Sequence, residues 1–166
     1  VLLNFRAYDT LLELAVVLTA VLTVLILNDK RAEHKTISPL LQGMTRWLVP
    51  LLVISSGYLL WVGAHAPGGA FQAGAMLAAA MILLQLAYPS VHQGFNLYLL
   101  RLLLVIGIFT FVVVGLWMMV LNDDFLAYSP AWAGILILII ETAATLSIAT
   151  ALTQAYLGGR PTGWEN

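Results

Sequence analysis

Long apolar runs alternate with short polar breaks along this chain, and the lengths of the runs decide the fold class. The first run covers about Tyr8 to Leu27 and ends at the charge-dense stretch Asn28-Asp29-Lys30-Arg31-Ala32-Glu33-His34-Lys35. Ser38-Pro39 then has the form of a helix start, Ser as cap and Pro in the first helical position. It gives a short amphipathic lead into a second run from about Arg46 to Gly63, with Pro50 expected in its first turns. A third run from Ala70 to Tyr88 stops at Pro89, and a fourth from about Leu99 to Leu121 stops at Asn122-Asp123-Asp124. The fifth, opened by Ser129-Pro130, extends from about Ala131 to Tyr156 and stops at Gly158-Gly159-Arg160-Pro161. Crossing about 30 Å of hydrocarbon at about 1.5 Å per helical residue takes about 20 residues, and each run is close to that length. The pattern predicts an all-α integral membrane protein with five transmembrane helices. The fourth run, almost wholly aliphatic and aromatic, is expected to face lipid.

The break between the second and third runs differs from the others. Gly63-Ala64-His65-Ala66-Pro67-Gly68-Gly69-Ala70-Phe71-Gln72-Ala73-Gly74 is rich in glycine rather than charge. Pro67 cannot donate a backbone hydrogen bond and pushes Ala66 out of the helical region, while Gly68 and Gly69 permit the positive φ values of a tight reversal. A Gly/Pro-broken hairpin is expected here, with Gly63, Pro67, Gly68, Gly69 and Gly74 as its structural residues. Ala70, Gly74 and Ala78 recur at a spacing that lets a neighbouring helix approach closely.

Composition agrees with a membrane protein. Of 166 residues, 61% are hydrophobic and 9% charged, with a mean hydropathy of +0.96, whereas a soluble domain carries about 25% charged residues. Seven Lys and Arg against eight Asp and Glu leave no electrostatic case for nucleic acid. Without cysteine there are no disulfides, thiolate zinc sites or cysteine-held iron–sulfur clusters. The first run carries Arg6, Asp9 and Glu13, which is wrong for a cleaved signal, and is read as a true span.

Charge also sets the expected orientation. With five spans, Lys30, Arg31, Lys35, Arg46, Arg101 and Arg160 fall on one side and Arg6 alone on the other. The positive-inside rule then puts the N-terminus and the hinge outside and the C-terminus inside, in an inner (plasma) membrane. Trp47, Trp61, Tyr88, Tyr98, Trp117 and Trp132 lie near span ends, as an interfacial aromatic belt requires. The charged loop divides the chain into residues 1–36, a single-helix module, and residues 37–166, a four-helix module.

Few charges enter the apolar layer, so those that do carry the chemistry. Glu141 lies about 15 Å into the fifth run by helical rise, where a carboxylate costs about 2.5–3.5 kcal/mol on insertion scales. Thr145 stands one turn on, within a small and weakly polar stretch suited to burial against another helix. Glu141 is therefore expected to face protein or water, as a proton or cation way-station or as a hydrogen-bonded clamp between subunits. Arg6, Asp9 and Glu13 share one face of the first helix, so that Arg6 can form an ion pair with Asp9. Glu13 lies deeper and needs a partner, a water-filled cleft or a proton. His65 at the mouth of the hinge is either a titratable gate or a histidine bonded to loop carbonyls, and Gln72 is expected to bond the broken backbone. His34 and His92 have no second ligand at metal-like spacing. No metal or cofactor site is read here. No phosphate loop and no nucleophile–base arrangement is present either, so catalysis by this chain alone is not expected.

The hinge residues Gly63 to Gly74 resemble the signature hairpin of the MnhB-type subunit of the multisubunit Na⁺/H⁺ antiporters (Mrp/Mnh), typically Gly-His-Asn-Ala-Pro-Gly-Gly-Gly-Phe followed by a small-residue helix. Here Ala64 separates Gly63 from His65, the Asn after His is missing, and Ala70 stands in place of the third Gly. The resemblance covers about residues 38–157 and implies four helices, with an acidic residue in the last, where Glu141 lies. Asn4-Phe5-Arg6-Ala7-Tyr8-Asp9-Thr10-Leu11-Leu12-Glu13 is similar to the Arg–aromatic–Asp-Thr…Glu helix of the small MbhE-like subunit, also found in membrane-bound hydrogenases. The two together look like a fusion. They imply an accessory membrane subunit of a cation/proton-translocating complex related to respiratory complex I, with other membrane subunits as partners and Na⁺ or H⁺ passing through the assembly. On that reading Asp9, Glu13, Glu141 and His65 serve the ion path. The alternatives are a scaffold subunit of a redox-driven complex of the membrane-bound hydrogenase type, and an autonomous small permease.

Overall fold

A computed structural model of the chain describes residues 2–27, 38–63, 66–88, 96–122 and 133–157. Within them the backbone forms five α-helices and no strand: α1 Leu2–Leu27, α2 Pro39–Val62, α3 Ala70–Ala87, α4 Leu97–Asn122 and α5 Ala133–Leu157. Each contains a segment of 18 to 25 residues long and apolar enough to cross a membrane.

The order of the helices in space follows from where the small and polar residues fall. Helix α5 is the hub, packed on α3 and α4, on α1, and more lightly on α2. From Ala143 to Ala151 all its residues except Leu146 are buried, because alanine, serine and threonine let neighbours close in from several sides. Helix α2 lies outside α3, with Ser56 Oγ donating to the Ala73 carbonyl (2.8 Å) and Gln42 Nε2 to the Ala87 carbonyl (3.3 Å), so the two run antiparallel. Helices α3 and α5 run parallel, since the Ala70 carbonyl lies beside Thr145 and Met81 beside Thr153. Ser147 Oγ donates to the Leu104 carbonyl (2.6 Å) and fixes α4 against α5. In apolar surroundings such interhelical bonds contribute about 0.6 kcal/mol each on average.

Two apolar layers complete the bundle. Leu14, Ala70, Phe111, Ile140, Ala144 and Ile148 form one, nearer the N-terminal ends of α1, α3 and α5. Val21, Leu100, Leu104 and Ala151 form the other. Helix α1 enters both, through Leu11 and Leu14 in the first and Val17, Leu18, Val21 and Leu25 in the second. It runs parallel to α5 and antiparallel to α4.

Two expectations change. The helix that contains Arg46 begins at Pro39 as one continuous element, so Pro50 lies at mid-helix rather than in the first turns. A proline removes one donor and leaves the carbonyl four residues back, that of Arg46, without its usual partner; the flanking turns stay helical because hydrocarbon offers the backbone nothing else to bond. Helix α4 does not simply face lipid. Leu100, Leu104, Gly107, Phe111, Gly115 and Met118 form a buried face along it, and only its remaining faces are exposed.

Glycines mark the closest approaches. A Cβ at Gly74 would stand 2.8 Å from Ile148 Cβ, and one at Gly107 would stand 2.8 Å from Ser147 Cβ and 3.2 Å from Ala144 Cα. A Cβ at Gly57, on the outer face of α2, would meet nothing within 4 Å. Gly107→Ala is therefore expected to lower the thermal midpoint of the detergent-solubilised protein, since overpacking costs about 1–3 kcal/mol. Gly57→Ala should leave it unchanged or raise it through helix propensity, worth about 1 kcal/mol. Equal midpoints for the two variants would contradict this packing.

Candidate functional site

The hinge between α2 and α3 closes on a single carbonyl. The Leu59 oxygen accepts from the Gly63 amide and from the Gly69 amide, both at 3.1 Å, and the Ala66 amide donates to the Val62 oxygen at 2.9 Å. The chain can turn back this tightly only because Gly63 and Gly68 carry no side chain. A Cβ at Gly68 would stand 2.7 Å from the Leu59 oxygen, and one at Gly63 2.5 Å from the Gly69 nitrogen. Gly69 itself has φ 120° and ψ −171°, a region closed to other residues. Its carbonyl accepts from the Ala73 amide at 3.1 Å and so starts the α3 ladder.

Glu141 comes to this turn from α5. It is half-buried, and its Oε1 lies 3.9 Å from the point where a Gly69 side chain would begin, as does Gln72 Oε1. One turn on, Thr145 Oγ1 donates to the Glu141 carbonyl at 2.7 Å and lies 3.4 Å from the Ala70 carbonyl. The carboxyl group therefore sits at the N-terminal end of α3. Amides without an intrahelical acceptor and the positive end of the helix dipole favour negative charge there. Such a setting lowers the cost of a charged carboxyl group within a spanning segment.

The other residues picked from the sequence divide. Gly74, expected at a close helix contact, packs on α5 against Ile148 and Thr145. Asp9 and Glu13 are exposed on α1 and turn away from the rest of the bundle. Glu13 nevertheless adjoins Leu14, which packs in one layer with Ala70 and Ile140, so Glu13, the hinge and Glu141 share a level in the membrane. The exposed basic residues Arg46 and Arg101 belong to the opposite half of the bundle, near the start of α2 and α4. His65 lies outside the described residues, as does the side chain of Arg6, and with it the Arg6–Asp9 pair. Among the described residues no three His, Asp or Glu side chains come together as metal ligands would.

The small, weakly polar stretch after Glu141, expected to be buried against another helix, is buried and continues beyond the residues read from the sequence to Thr153 and Gln154. Thr145, Ser147, Thr150, Thr153 and Gln154 are all buried along α5, Thr153 at 0% and Gln154 at 3% exposure. On α3, Gln85 Oε1 is buried and has no hydrogen-bond partner among the described residues. The polar residues of α5 are spread around the helix rather than along one face, with Ser147 turned to α4 and Thr145 and Thr153 turned to α3.

With this geometry in hand, comparison with known families is decisive. Residues 40–158 match the family described as a domain related to the MnhB subunit of Na⁺/H⁺ antiporter. The chain belongs to the MnhB-related family. The matched residues take in nearly all of α2 through α5 together with the hinge, and leave α1 outside. No curated protein and no solved structure matches the chain. Membership together with five apolar helices makes it a multi-pass membrane protein of the antiporter-subunit type.

Proposed function

We propose that this MnhB-related chain is an accessory subunit of a Na⁺/H⁺-translocating complex of the plasma membrane, and that Glu141 lies on the ion path. The observation that carries the reading is the position of Glu141. A carboxyl group on the hub helix is held against the only glycine-broken turn among the described residues, beside Gln72 and one helical turn from the buried Thr145. A carboxylate within hydrocarbon is costly unless protein or water meets it, and such groups mark ion and proton routes. Asp9 and Glu13 face outward from this chain, so whatever part they take in the path is shared with another subunit. His65, which neighbours the hinge residues in sequence, is proposed to serve the same path.

Removal of the chain tests the reading. In everted membrane vesicles from cells that lack it, Na⁺-dependent proton exchange by the remaining complex should fall to background and return when the chain is supplied again. Exchange that continues undiminished without it would refute a role in translocation.

The scaffold alternative has one observation of its own. Thr150 and Thr153 donate to the carbonyls of Leu146 and Ala149 in their own helix, at 2.8 and 2.7 Å, which suits close packing as well as a path. Glu141→Gln separates the two readings, because a path needs the charge and a scaffold does not.

A further inference from the structure

We infer that the outer face of α1 is a docking surface for a transmembrane helix of a different polypeptide, one that presents a lysine or arginine at the level of Glu13. The inference rests on the reading of the chain as one subunit of a multisubunit membrane complex, and it names the chemistry of the partner.

Helix α1 has two unlike faces. Leu11, Leu14, Leu18, Val21 and Leu25 pack into the bundle. The opposite face carries Asp9, Glu13, Val16 and Ala20 at spacings of four, three and four, with Val16 at 67% exposure. Alongside them a shallow groove is lined by Leu12, Ala15, Val16, Thr19, Ala20 and Thr23, all from α1 itself, so this chain supplies only one wall. Small residues there let a second helix backbone come close. The hydroxyls of Thr19 and Thr23 are already taken by the Ala15 and Thr19 carbonyls, at 2.7 and 2.9 Å, and leave the groove apolar.

The occupant follows from charge. Glu13 lies inside the spanning segment Tyr8–Ile26, about 8 Å from its start by helical rise, and it is exposed. Acyl chains cannot solvate a carboxylate. A second copy of this chain is no better: copies inserted with the same orientation meet at equal depth and set Glu13 against Glu13. Among the described side chains, the exposed arginines of a copy, Arg46 and Arg101, lie in the opposite half of the bundle, and Arg6 stands seven residues, about 10 Å by helical rise, nearer the start of α1 than Glu13. The complementary group must therefore come from another chain. A cationic side chain beside Glu13 would satisfy both charges at once, and the groove would seat the helix that carries it.

Photo-crosslinking in the assembled complex tests this without touching Glu13. A photoreactive amino acid at Val16 or Ala20, in complexes purified from native membranes, is expected to couple to a peptide of another membrane subunit within about one helical turn of a lysine or arginine. Glu13→Lys should then lower co-purification of that subunit at least 10-fold, and exchanging the partner's basic residue for glutamate should restore it. Coupling only to lipid, coupling only to a second copy, or failure of the charge exchange to restore co-purification would overturn the inference. The functional reading is judged separately, by exchange in vesicles that lack the chain and in vesicles that carry Glu141→Gln.

Discussion

Gly63→Ala is expected to be the most damaging single methyl group that can be added to this protein. The new Cβ would stand 2.5 Å from the Gly69 nitrogen and 2.6 Å from the Gly69 Cα, both backbone atoms that cannot rotate aside. Nor can the Gly69 segment retreat without loss, because its amide is bound to the Leu59 oxygen, which also holds the Gly63 amide. Overpacking costs about 1–3 kcal/mol where side chains can adjust, and more where only backbone can move. A buried amide left without its acceptor adds about 1–3 kcal/mol. Against a total stability of about 5–15 kcal/mol, the sum is large. The variant should reach the membrane at a small fraction of the wild-type level and unfold in detergent at a much lower temperature. Gly69→Ala tests the same turn by another route. Its Cβ would meet nothing closer than 3.9 Å, so that loss of stability would come from the φ of 120° alone, about 1–3 kcal/mol. Wild-type levels and melting for Gly63→Ala would mean that the hinge does not close on Leu59.

Glu141→Gln should have the largest effect on transport. Glutamine keeps the size of the side chain and its hydrogen-bonding capacity but can neither release a proton nor hold a cation by charge. On the path reading the complex assembles in normal amount, while Na⁺-dependent proton exchange falls at least 10-fold, equivalent to about 1.4 kcal/mol in the barrier. Glu141→Asp, which keeps the charge but withdraws it by one methylene from Gly69 and Gln72, should fall between the two. On the scaffold reading the order reverses: exchange per assembled complex is unchanged, and Glu141→Leu reduces assembly. Measuring subunit stoichiometry and exchange on the same vesicles separates these outcomes. Normal exchange by fully assembled Glu141→Gln complexes would remove Glu141 from the path.

The hinge gives Glu141 a setting that neither its own helix nor its position in the chain supplies. Its carboxyl meets Gly69, far earlier in the chain, only because α3 and α5 run parallel and pack at Gly74 against Ile148. Glu13 shows the opposite case. Its depth along the sequence marks it as clearly as Glu141, and it stands at the same level, yet it turns away from the bundle, because the apolar positions Leu11, Leu14 and Leu18 claim the inner face of α1. Pro50 illustrates a local signal outweighed. A proline reads as a helix boundary in water, but within a membrane segment the neighbouring amides have no alternative acceptor, and α2 continues through it.

Five helices long enough to span, the broken turn between the second and third and the presence of carboxyl groups within the spanning segments were all settled by the order of residues along the chain. They depend on run length, on proline's missing donor and on glycine's freedom at positive φ, each of which acts within a few residues. Which helix became the hub, which face of α4 was covered, and which acid met the turn were decided only in three dimensions. Most of the span residues are apolar on every side, so periodicity alone does not say which face turns inward. The pairing of small residues across helices decides that instead, and it can be seen only when the partners are in place.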